Sequence, residues 1–454
     1  MKIIDEISLG SYNKTVLENG LKIVSEFVPE INSFSAGVCI NVGSRNDFET
    51  KGGIAHFMEH AAFRHTKNRT SKQIANEFEA LGAYSNAFTT KEITCFYVRA
   101  MKEHFAKTFE ILSDITLNTV FVEKEIEKEK LIILEEIKSY EDDPEEHICD
   151  LADTLVFAGS TLAPPIIGTQ NSVNNISFSD LENFHKQYYC PSNITVAVAG
   201  NISHSEIVLL AKKYFNSLQS TVIASKAWQS RQNKMDCHAE AARNAGNCRG
   251  VLHTPTIKNG VSITPLRNNE NELCVQRQIQ QAHLIMGKLT NGIRHPERYP
   301  LAVTNAMFGD GMSSRLYQNL REKHGLAYSI YSSVQNYIDC GAIYIYAATE
   351  ENKNKKTVDL VFEEMNKFTF TKKPTQKELN RAKEQLKTGT MIELESMSSR
   401  MQNLLKQEIS ICKTETISEI IANIEKITLA DISEISEKYF VPSDWKICSL
   451  IPSH

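Results

Sequence analysis

The chain has 454 residues, of which 50 are Lys or Arg and 55 are Asp or Glu, so it is long enough for two or three domains and its slightly acidic balance gives no reason to expect a nucleic-acid partner. No apolar run reaches the length of a membrane span and the N-terminus lacks the pattern of a signal peptide, so we expect a soluble, cytoplasmic protein, with a mature mitochondrial matrix protein after presequence removal as the alternative. Ten cysteines are scattered along the chain, and those within strand-like apolar runs (Cys39, Cys95 and Cys448) favour buried free thiols over disulfides.

The first predicted element is a strand hairpin over residues 12–25, and a helix carrying His56, Glu59 and His60 follows it. Residues at i and i+4 share a helix face, so the two imidazoles can bind one metal ion with Glu59 beside them. The order H-x-x-E-H marks the inverzincins. Because zinc supplies a Lewis acid and an acidified water whose proton a carboxylate can accept, this spacing predicts a zinc hydrolase.

The alternative for these histidines is a hydrogen-bonded pair in the protein core. The flanking residues 54–55 and 61–63 are apolar, as expected of a buried helix. Three polar side chains in such a helix are costly unless they find partners, which favours the metal.

Residues 123–140 form a predicted helix that can supply a third ligand, because catalytic zinc usually keeps three protein ligands and one open position. By helical spacing, one face is predicted to hold Glu129, Ile132, Glu136 and Tyr140. A solvated face is predicted to hold Glu123, Glu125 and Glu127.

Several segments together resemble the pitrilysin, insulinase and mitochondrial processing peptidase family. The resemblance is closest to the catalytic (beta) subunit of the processing peptidase and its bacterial homologues. The segments are Gly53–His60, Phe63, Leu81–Ala83, Asn86–Thr89 and Leu131–Ile137.

The resemblance implies roles for individual residues. Glu136 would complete a site for one Zn²⁺ per chain with His56 and His60. Glu129 would order that site and support catalysis. An extended substrate would pair as an added strand along residues 85–89, where the family's edge-strand motif falls on Asn86, Ala87 and Phe88.

Residues 225–260 fit neither helix nor strand periodicity and are longer than the short linker of the family, which indicates an exposed insertion. Cys237, His238, Cys248 and His253 lie in it. Their spacing matches no ordinary zinc module, so a structural zinc site is not favoured here.

The chain repeats itself, since residues 176–193 align without gaps on residues 427–444. Both copies predict a helix, a Pro-containing turn and a strand, and two capping boxes are predicted, Ser179 with Glu182 and Thr375 with Glu378. The repeat predicts an α+β fold of two homologous α/β-roll halves, each a mixed or antiparallel sheet with helices packed on it. The predicted domains are a catalytic zinc-binding domain (1–221), a linker (222–262) and a homologous substrate-holding domain (263–454).

The second half lacks H-x-x-E-H, so one zinc site per chain is expected. Residues 308–329 resemble the second-half motif of the family, which implies that the halves close like a clamshell and that Arg321 and Tyr328 hold the substrate and stabilise the reacting carbonyl. The structural alternative places Arg321 in a helix salt bridge and Tyr328 in a strand core.

These observations predict a zinc metalloendopeptidase that cleaves peptides or unfolded, presequence-like segments, with Glu59 as general base. The resemblance implies a homodimer, or a heterodimer with a homologous subunit. A non-catalytic structural subunit and a peptide-binding clamp are the alternatives. The complete ligand set and base favour the enzyme.

Overall fold

Two mixed β-sheets form the framework of the computed structural model, which describes residues 1–216, 267–268 and 271–453. Each sheet belongs to one of two units of the described chain. Unit 1 contains residues 1–139, 164–216 and 391–414, and unit 2 contains residues 140–163, 267–268, 271–390 and 415–453. The predicted insertion, with Cys237, His238, Cys248 and His253, lies outside the described residues.

The strands of unit 1 are β1 (Ile3–Leu9), β2 (Tyr12–Leu17), β3 (Lys22–Phe27), β4 (Ser33–Ile40), β5 (Tyr84–Thr89), β6 (Thr94–Met101) and β7 (Ile194–Gly200). Their order in the sheet is β1-β2-β3-β7-β4-β6-β5. Strands β3 and β7 are parallel, and the other neighbours are antiparallel. The predicted hairpin is therefore present as β2 and β3.

The strands of unit 2 are β8 (Arg267–Asn268), β9 (Glu272–Arg277), β10 (Ala282–Asn291), β11 (Ala327–Asn336), β12 (Cys340–Thr349) and β13 (Lys446–Pro452). Their order is β11-β12-β10-β13-β9-β8, again with one parallel pair, β13 with β9. Six strands of unit 1, in the order β5-β6-β4-β7-β3-β2, correspond one by one to the six strands of unit 2 and are connected along the chain in the same way. The predicted α+β fold with two homologous halves is confirmed.

The helices are α1 (Ile54–Ala62), α2 (Ser71–Ala80), α3 (Phe105–Leu117), α4 (Glu123–Asp142), α5 (Pro144–Val156), α6 (Gln170–Asn174), α7 (Phe178–Tyr188), α8 (His204–Tyr214), α9 (Arg298–Phe308), α10 (Asn354–Asn366), α11 (Gln376–Glu393), α12 (Met397–Leu405), α13 (Ile417–Glu425) and α14 (Leu429–Tyr439). Short 3-10 turns occupy Ser44–Asn46, Lys102–His104, Pro191–Asn193 and Glu351–Lys353. Wider π-helical turns occupy Tyr317–Lys323, Lys367–Thr371 and Lys406–Ile411.

The repeated helices α7 and α14 begin with equivalent capping boxes. The first pairs Ser177 with Asp180, and the second pairs Thr428 with Asp431. The predicted box of Ser179 with Glu182 was wrong, because the same Ser and acid chemistry occurs two residues earlier and starts the helix there. The predicted box of Thr375 with Glu378 is present at the start of α11.

Two helices pack on a sheet that is remote from them in sequence. Helix α5 lies against β10 and β13 in unit 2, and α12 lies against β4, β7 and β3 in unit 1. The composition of the units therefore differs from the continuous predicted segments 1–221 and 263–454. In unit 1, α12 covers one sheet face and α1, α3, α7 and α8 pack on the other, which explains why β4 and β7 are apolar almost throughout.

Cysteine burial agrees with the sequence analysis, since Cys39, Cys95 and Cys448 are buried free thiols. Among the described residues, no helix combines the length and apolarity needed to cross a bilayer.

The start of α1 is fixed by a close backbone approach. Gly53 has φ +91°, and a Cβ added there would lie 2.4 Å from the carbonyl oxygen of Ile167. A side chain at Gly53 would therefore push α1 away from the loop that follows α5.

We expect Gly53→Ala to lower the free energy of unfolding by at least about 3 kcal/mol, because it adds a steric clash to the cost of left-handed backbone. Gly82→Ala is the matched control, since Gly82 has φ +58° and no heavy atom within 4 Å of its added Cβ. The control should cost only about 1–2 kcal/mol. Urea unfolding measures both variants, and equal losses would contradict the close approach.

Candidate metal centre

Helix α1 presents its three polar side chains on the one face that its apolar residues leave free. The buried residues of this helix are Ile54, Ala55, Phe57, Met58, Ala61 and Ala62. His56 and His60 lie together on the remaining face, with ring centroids 4.6 Å apart. The helical period thus creates the pair that the sequence predicted.

Glu136 of α4 approaches both imidazoles. Its Oε1 lies 3.9 Å from His56 Nε2, and its Oε2 lies 3.5 Å from His60 Nε2. One donor atom from each of the three residues lies within 4.8 Å of the others. A tetrahedral zinc ion with bonds of about 2.0–2.1 Å separates its ligand atoms by about 3.4 Å. The donor set and its spacing therefore fit zinc with small side-chain adjustments.

The buried face of α4 differs from the predicted one. Its buried residues are Ile126, Glu129, Ile133 and Ile137. Ile132 and Tyr140 are 47% and 42% exposed, so they share the helical spacing of Glu129 but not its burial. The isoleucines among them face the core, and Glu136 is half-buried at the edge of this buried face. Glu123 and Glu127 are exposed as predicted, whereas Glu125 is half-buried.

Glu129 holds His60 from the side opposite to Glu136. Its Oε1 lies 2.9 Å from His60 Nδ1, and its Oε2 forms an ion pair with Arg64 Nε. Burial raises the pKa of Glu129, but the hydrogen bonds to His60 and Arg64 outweigh burial and leave it lowered. Sequence reasoning missed Arg64, which lies one turn beyond His60 and carried no distinguishing signal.

The two imidazoles have different electrostatic surroundings. Burial, with a smaller effect of the His60 charge, lowers the pKa of His56 to about 3, so its ring is neutral at physiological pH. Burial also lowers the pKa of His60, but the contacts with Glu129 and Glu136 outweigh it and leave a raised value. The pKa of Glu136 is raised, chiefly by burial.

Glu59 projects from α1 toward the last residue of β5. Its Oε2 accepts a hydrogen bond of 2.6 Å from the Thr89 hydroxyl. Burial raises the pKa of Glu59, while this hydrogen bond and the His60 charge oppose the rise. The contact with Thr89 was not anticipated from the sequence.

The predicted substrate-binding residues of the first half lie on β5, which is the last strand in the order of its sheet. Asn86 is exposed, and Ala87 and Phe88 are half-buried. Strand β5 pairs with β6 on one side. Among the described residues no strand pairs with its other side, which leaves backbone groups available to an extended chain, except that Ala87 N donates to Asn86 Oδ1 at 2.8 Å.

Arg321 and Tyr328 both belong to unit 2. Tyr328 is 78% exposed, so its alternative placement in a strand core was wrong. The Arg321 guanidinium lies over the rings of Tyr317 and Tyr328, 4.9 and 6.0 Å from their centroids. Among the residues that the structure describes, Arg321 has these ring contacts and not the helix salt bridge that the sequence also allowed.

Comparison with known proteins relates this geometry to a family. Residues 22–170 match the family described as Insulinase (Peptidase family M16), and residues 175–386 match the description Peptidase M16 inactive domain. The chain is 32% identical over 437 residues to the uncharacterized zinc protease YmxG of Bacillus subtilis, which covers 96% of this chain and 97% of that protein. The chain belongs to peptidase family M16. An uncharacterized zinc protease of Rickettsia bellii is 30% identical over 434 residues, which make up 95% of this M16 chain and 96% of that protein.

Solved structures share the fold of this M16 chain. A protease from Helicobacter pylori superposes with a TM-score of 0.80 at 22% identity, covering 98% of this chain and all of that one (100%). A peptidase M16 inactive domain from Pseudomonas fluorescens gives a TM-score of 0.81 at 17% identity, covering 98% and 99%. These structures support the fold, and the predicted family resemblance is confirmed by the family matches and the sequence relatives.

Asp47 caps the helix that carries the histidines. Its Oδ2 accepts a hydrogen bond of 2.6 Å from Gly53 N, and its Oδ1 accepts one of 3.1 Å from Ala55 N. Burial raises the pKa of Asp47 to about 7, against the opposing effect of these bonds. A raised carboxyl pKa means that the folded protein disfavours the ionised form relative to the unfolded chain.

We therefore expect wild-type protein to lose stability relative to Asp47→Asn as pH rises from about 4 to about 7, by at most about 1.4 kcal/mol per pH unit. The stability contributed by the protonated group is complete below the unfolded pKa and is lost as pH passes the folded pKa. Urea unfolding of both proteins across this pH range measures the difference between their free energies of unfolding. The titrations of all other groups are common to both proteins and cancel in this difference. A difference independent of pH would contradict the raised pKa.

Proposed function

We propose that this protein is a zinc metalloendopeptidase that binds one zinc ion per chain through His56, His60 and Glu136. The observation that carries the proposal is the convergence of these donors from α1 and α4. The Glu59 carboxylate lies beside the two histidines on α1. Membership of peptidase family M16 and the relatives named zinc proteases support it.

Zinc bound by these residues supplies a Lewis acid for the scissile carbonyl and acidifies water. Glu59 acts as the general base, accepting the proton of the attacking water and handing it to the leaving amine. Its raised pKa favours the first of these transfers, because a more basic carboxylate accepts a proton more readily.

Glu129 and Arg64 orient His60. The Nδ1 atom of His60 faces the Glu129 carboxylate at 2.9 Å, which favours the hydrogen on Nδ1 and would leave the Nε2 lone pair for a metal ion. Glu129 is thus a positioning residue that supports catalysis through His60, and its ion pair with Arg64 holds it in place.

Substrate would pair as an extended strand along the free side of β5, next to Asn86, Ala87 and Phe88. Backbone hydrogen bonds hold a peptide with little demand on its sequence, which suits cleavage within peptides or unfolded, presequence-like segments. We propose Arg321 and Tyr328 as further substrate contacts. Their exposure leaves the guanidinium and the hydroxyl available to a carbonyl oxygen.

The predicted dimer, formed with a second copy of this chain or with a homologous chain, stays a prediction.

Cleavage of a quenched-fluorescent peptide library by purified protein, with and without a chelator and alongside metal analysis, tests the proposal. Chelator-sensitive cleavage with about one zinc per chain is expected. Bound zinc without cleavage would favour a peptide-binding or structural subunit of the same fold, and protein without zinc affinity would overturn the site.

Glu59→Gln should retain zinc and lower kcat by about 100-fold or more, because the amide keeps the shape of the side chain but cannot accept the proton. Glu127→Gln is the control, since Glu127 is exposed on α4 and should leave kcat unchanged. Steady-state kinetics and metal analysis measure both variants. Near-wild-type turnover by Glu59→Gln would remove Glu59 from the mechanism.

Glu136→Gln should weaken zinc binding by more than about 100-fold, because a charged ligand is lost. The neighbouring Glu135 offers a matched control, since its side chain is 73% exposed and pairs with Lys138. Glu135→Gln should bind zinc as the wild type does. Competition with a metal indicator measures both affinities, and equal values would show that Glu136 is not a ligand.

A further inference from the structure

Thr89, the last residue of β5, donates its hydroxyl hydrogen to Glu59 Oε2 at 2.6 Å. We propose that Thr89 is a positioning residue that orients the catalytic carboxylate and links it to the strand along which substrate pairs. The inference rests on the proposed role of Glu59 as general base.

The direction of this hydrogen bond follows from its neighbours. An ionised carboxylate only accepts, so the threonine must donate its single hydroxyl hydrogen. The other acceptor within reach, Thr94 Oγ1, lies at 3.5 Å, and Thr94 donates its own hydrogen to Val42 O at 3.0 Å. The shorter, charge-assisted bond to Glu59 is the stronger one, so it takes the hydrogen.

The Thr89 hydroxyl is held by backbone rather than by a mobile side chain. Thr89 pairs with Thr94 in the β5–β6 ladder, and the turn that follows is closed by a hydrogen bond of 2.8 Å from Thr90 N to Ile93 O. Threonine is also restricted at χ1. The hydroxyl therefore occupies a defined position relative to α1.

Glu59 has three rotatable side-chain bonds, and without a tether it would sample orientations that do not face the attacking water. Holding Oε2 fixes the carboxylate plane and leaves Oε1 to accept the proton. Orientation of this kind acts on the chemical step more than on substrate binding. A peptide that binds along β5 restricts the motion of Thr89 and therefore of Glu59. Peptide binding would thus raise kcat as well as affinity.

The test compares Thr89→Val, which keeps the shape and removes the donor, with Thr89→Ser, which keeps the donor. Thr89→Val should lower kcat by about 10- to 100-fold while KM for a long peptide stays within about twofold and zinc content is unchanged. Thr89→Ser should recover kcat to within about threefold of the wild type.

A matched control separates loss of orientation from loss of hairpin stability. The Thr90 hydroxyl donates to Ile93 O at 3.2 Å and accepts from the backbone of the turn, without a contact to Glu59 among the described residues. Thr90→Val should lower the Tm and leave kcat of the folded, zinc-loaded enzyme unchanged. If Thr89→Val instead loses zinc, or changes kcat and KM in parallel with Tm, the positioning role is overturned.

The double variant distinguishes failure of this inference from failure of the proposed function. If Thr89 acts through Glu59, adding Thr89→Val to Glu59→Gln should lower the residual kcat by less than about twofold further. An inactive Glu59→Gln beside a fully active Thr89→Val would overturn the inference and keep the proposed function. A fully active Glu59→Gln would remove the proposed function itself.

Discussion

The anchoring of α1 is the constraint on which the candidate metal centre depends. Asp47 binds the first backbone N–H groups of the helix, Gly53 lets its start approach the Ile167 carbonyl, and six apolar side chains fix its rotation. With the rotation fixed, His56, Glu59 and His60 have one common direction. Because polar groups in such a setting are costly without partners, the residues facing them must supply charge and hydrogen bonds.

Three carboxylates lie close to the imidazoles, and each has its own set of contacts. Glu129 is kept ionised by Arg64 and His60, Glu136 faces the Nε2 atoms of both histidines, and Glu59 is held by Thr89. Like charges this close repel one another, and the repulsion contributes to the raised pKa of Glu59 and of Glu136. A bound cation would relieve this repulsion.

The two homologous halves differ in the side chains that they present. The two sheets have the same strand connections, yet among the described residues the only cluster with metal-binding geometry is that of unit 1. Unit 2 carries exposed Arg321 and Tyr328 with stacked contacts instead. Each sheet also packs against a helix from the other half of the chain, α5 or α12, so each unit contains residues from both sides of the predicted linker.

The sequence by itself determined what local geometry dictates. The spacing of His56, Glu59 and His60 follows from the helical period, the box of Thr375 with Glu378 from cap chemistry, and the two halves from a gapless repeat. Helical spacing indicated that Glu129 and Glu136 share a face, but their individual roles came only from the family resemblance, because the same spacing also included Ile132 and Tyr140.

Only the tertiary structure decided which partners meet across long stretches of sequence. The core selects the row of Ile133 and Ile137 on α4, the contact of Glu59 with Thr89 spans 30 positions, and that of His60 with Glu129 spans 69. Such contacts depend on how helices and strands pack, and packing minimises exposed apolar area over the whole unit rather than over any one segment.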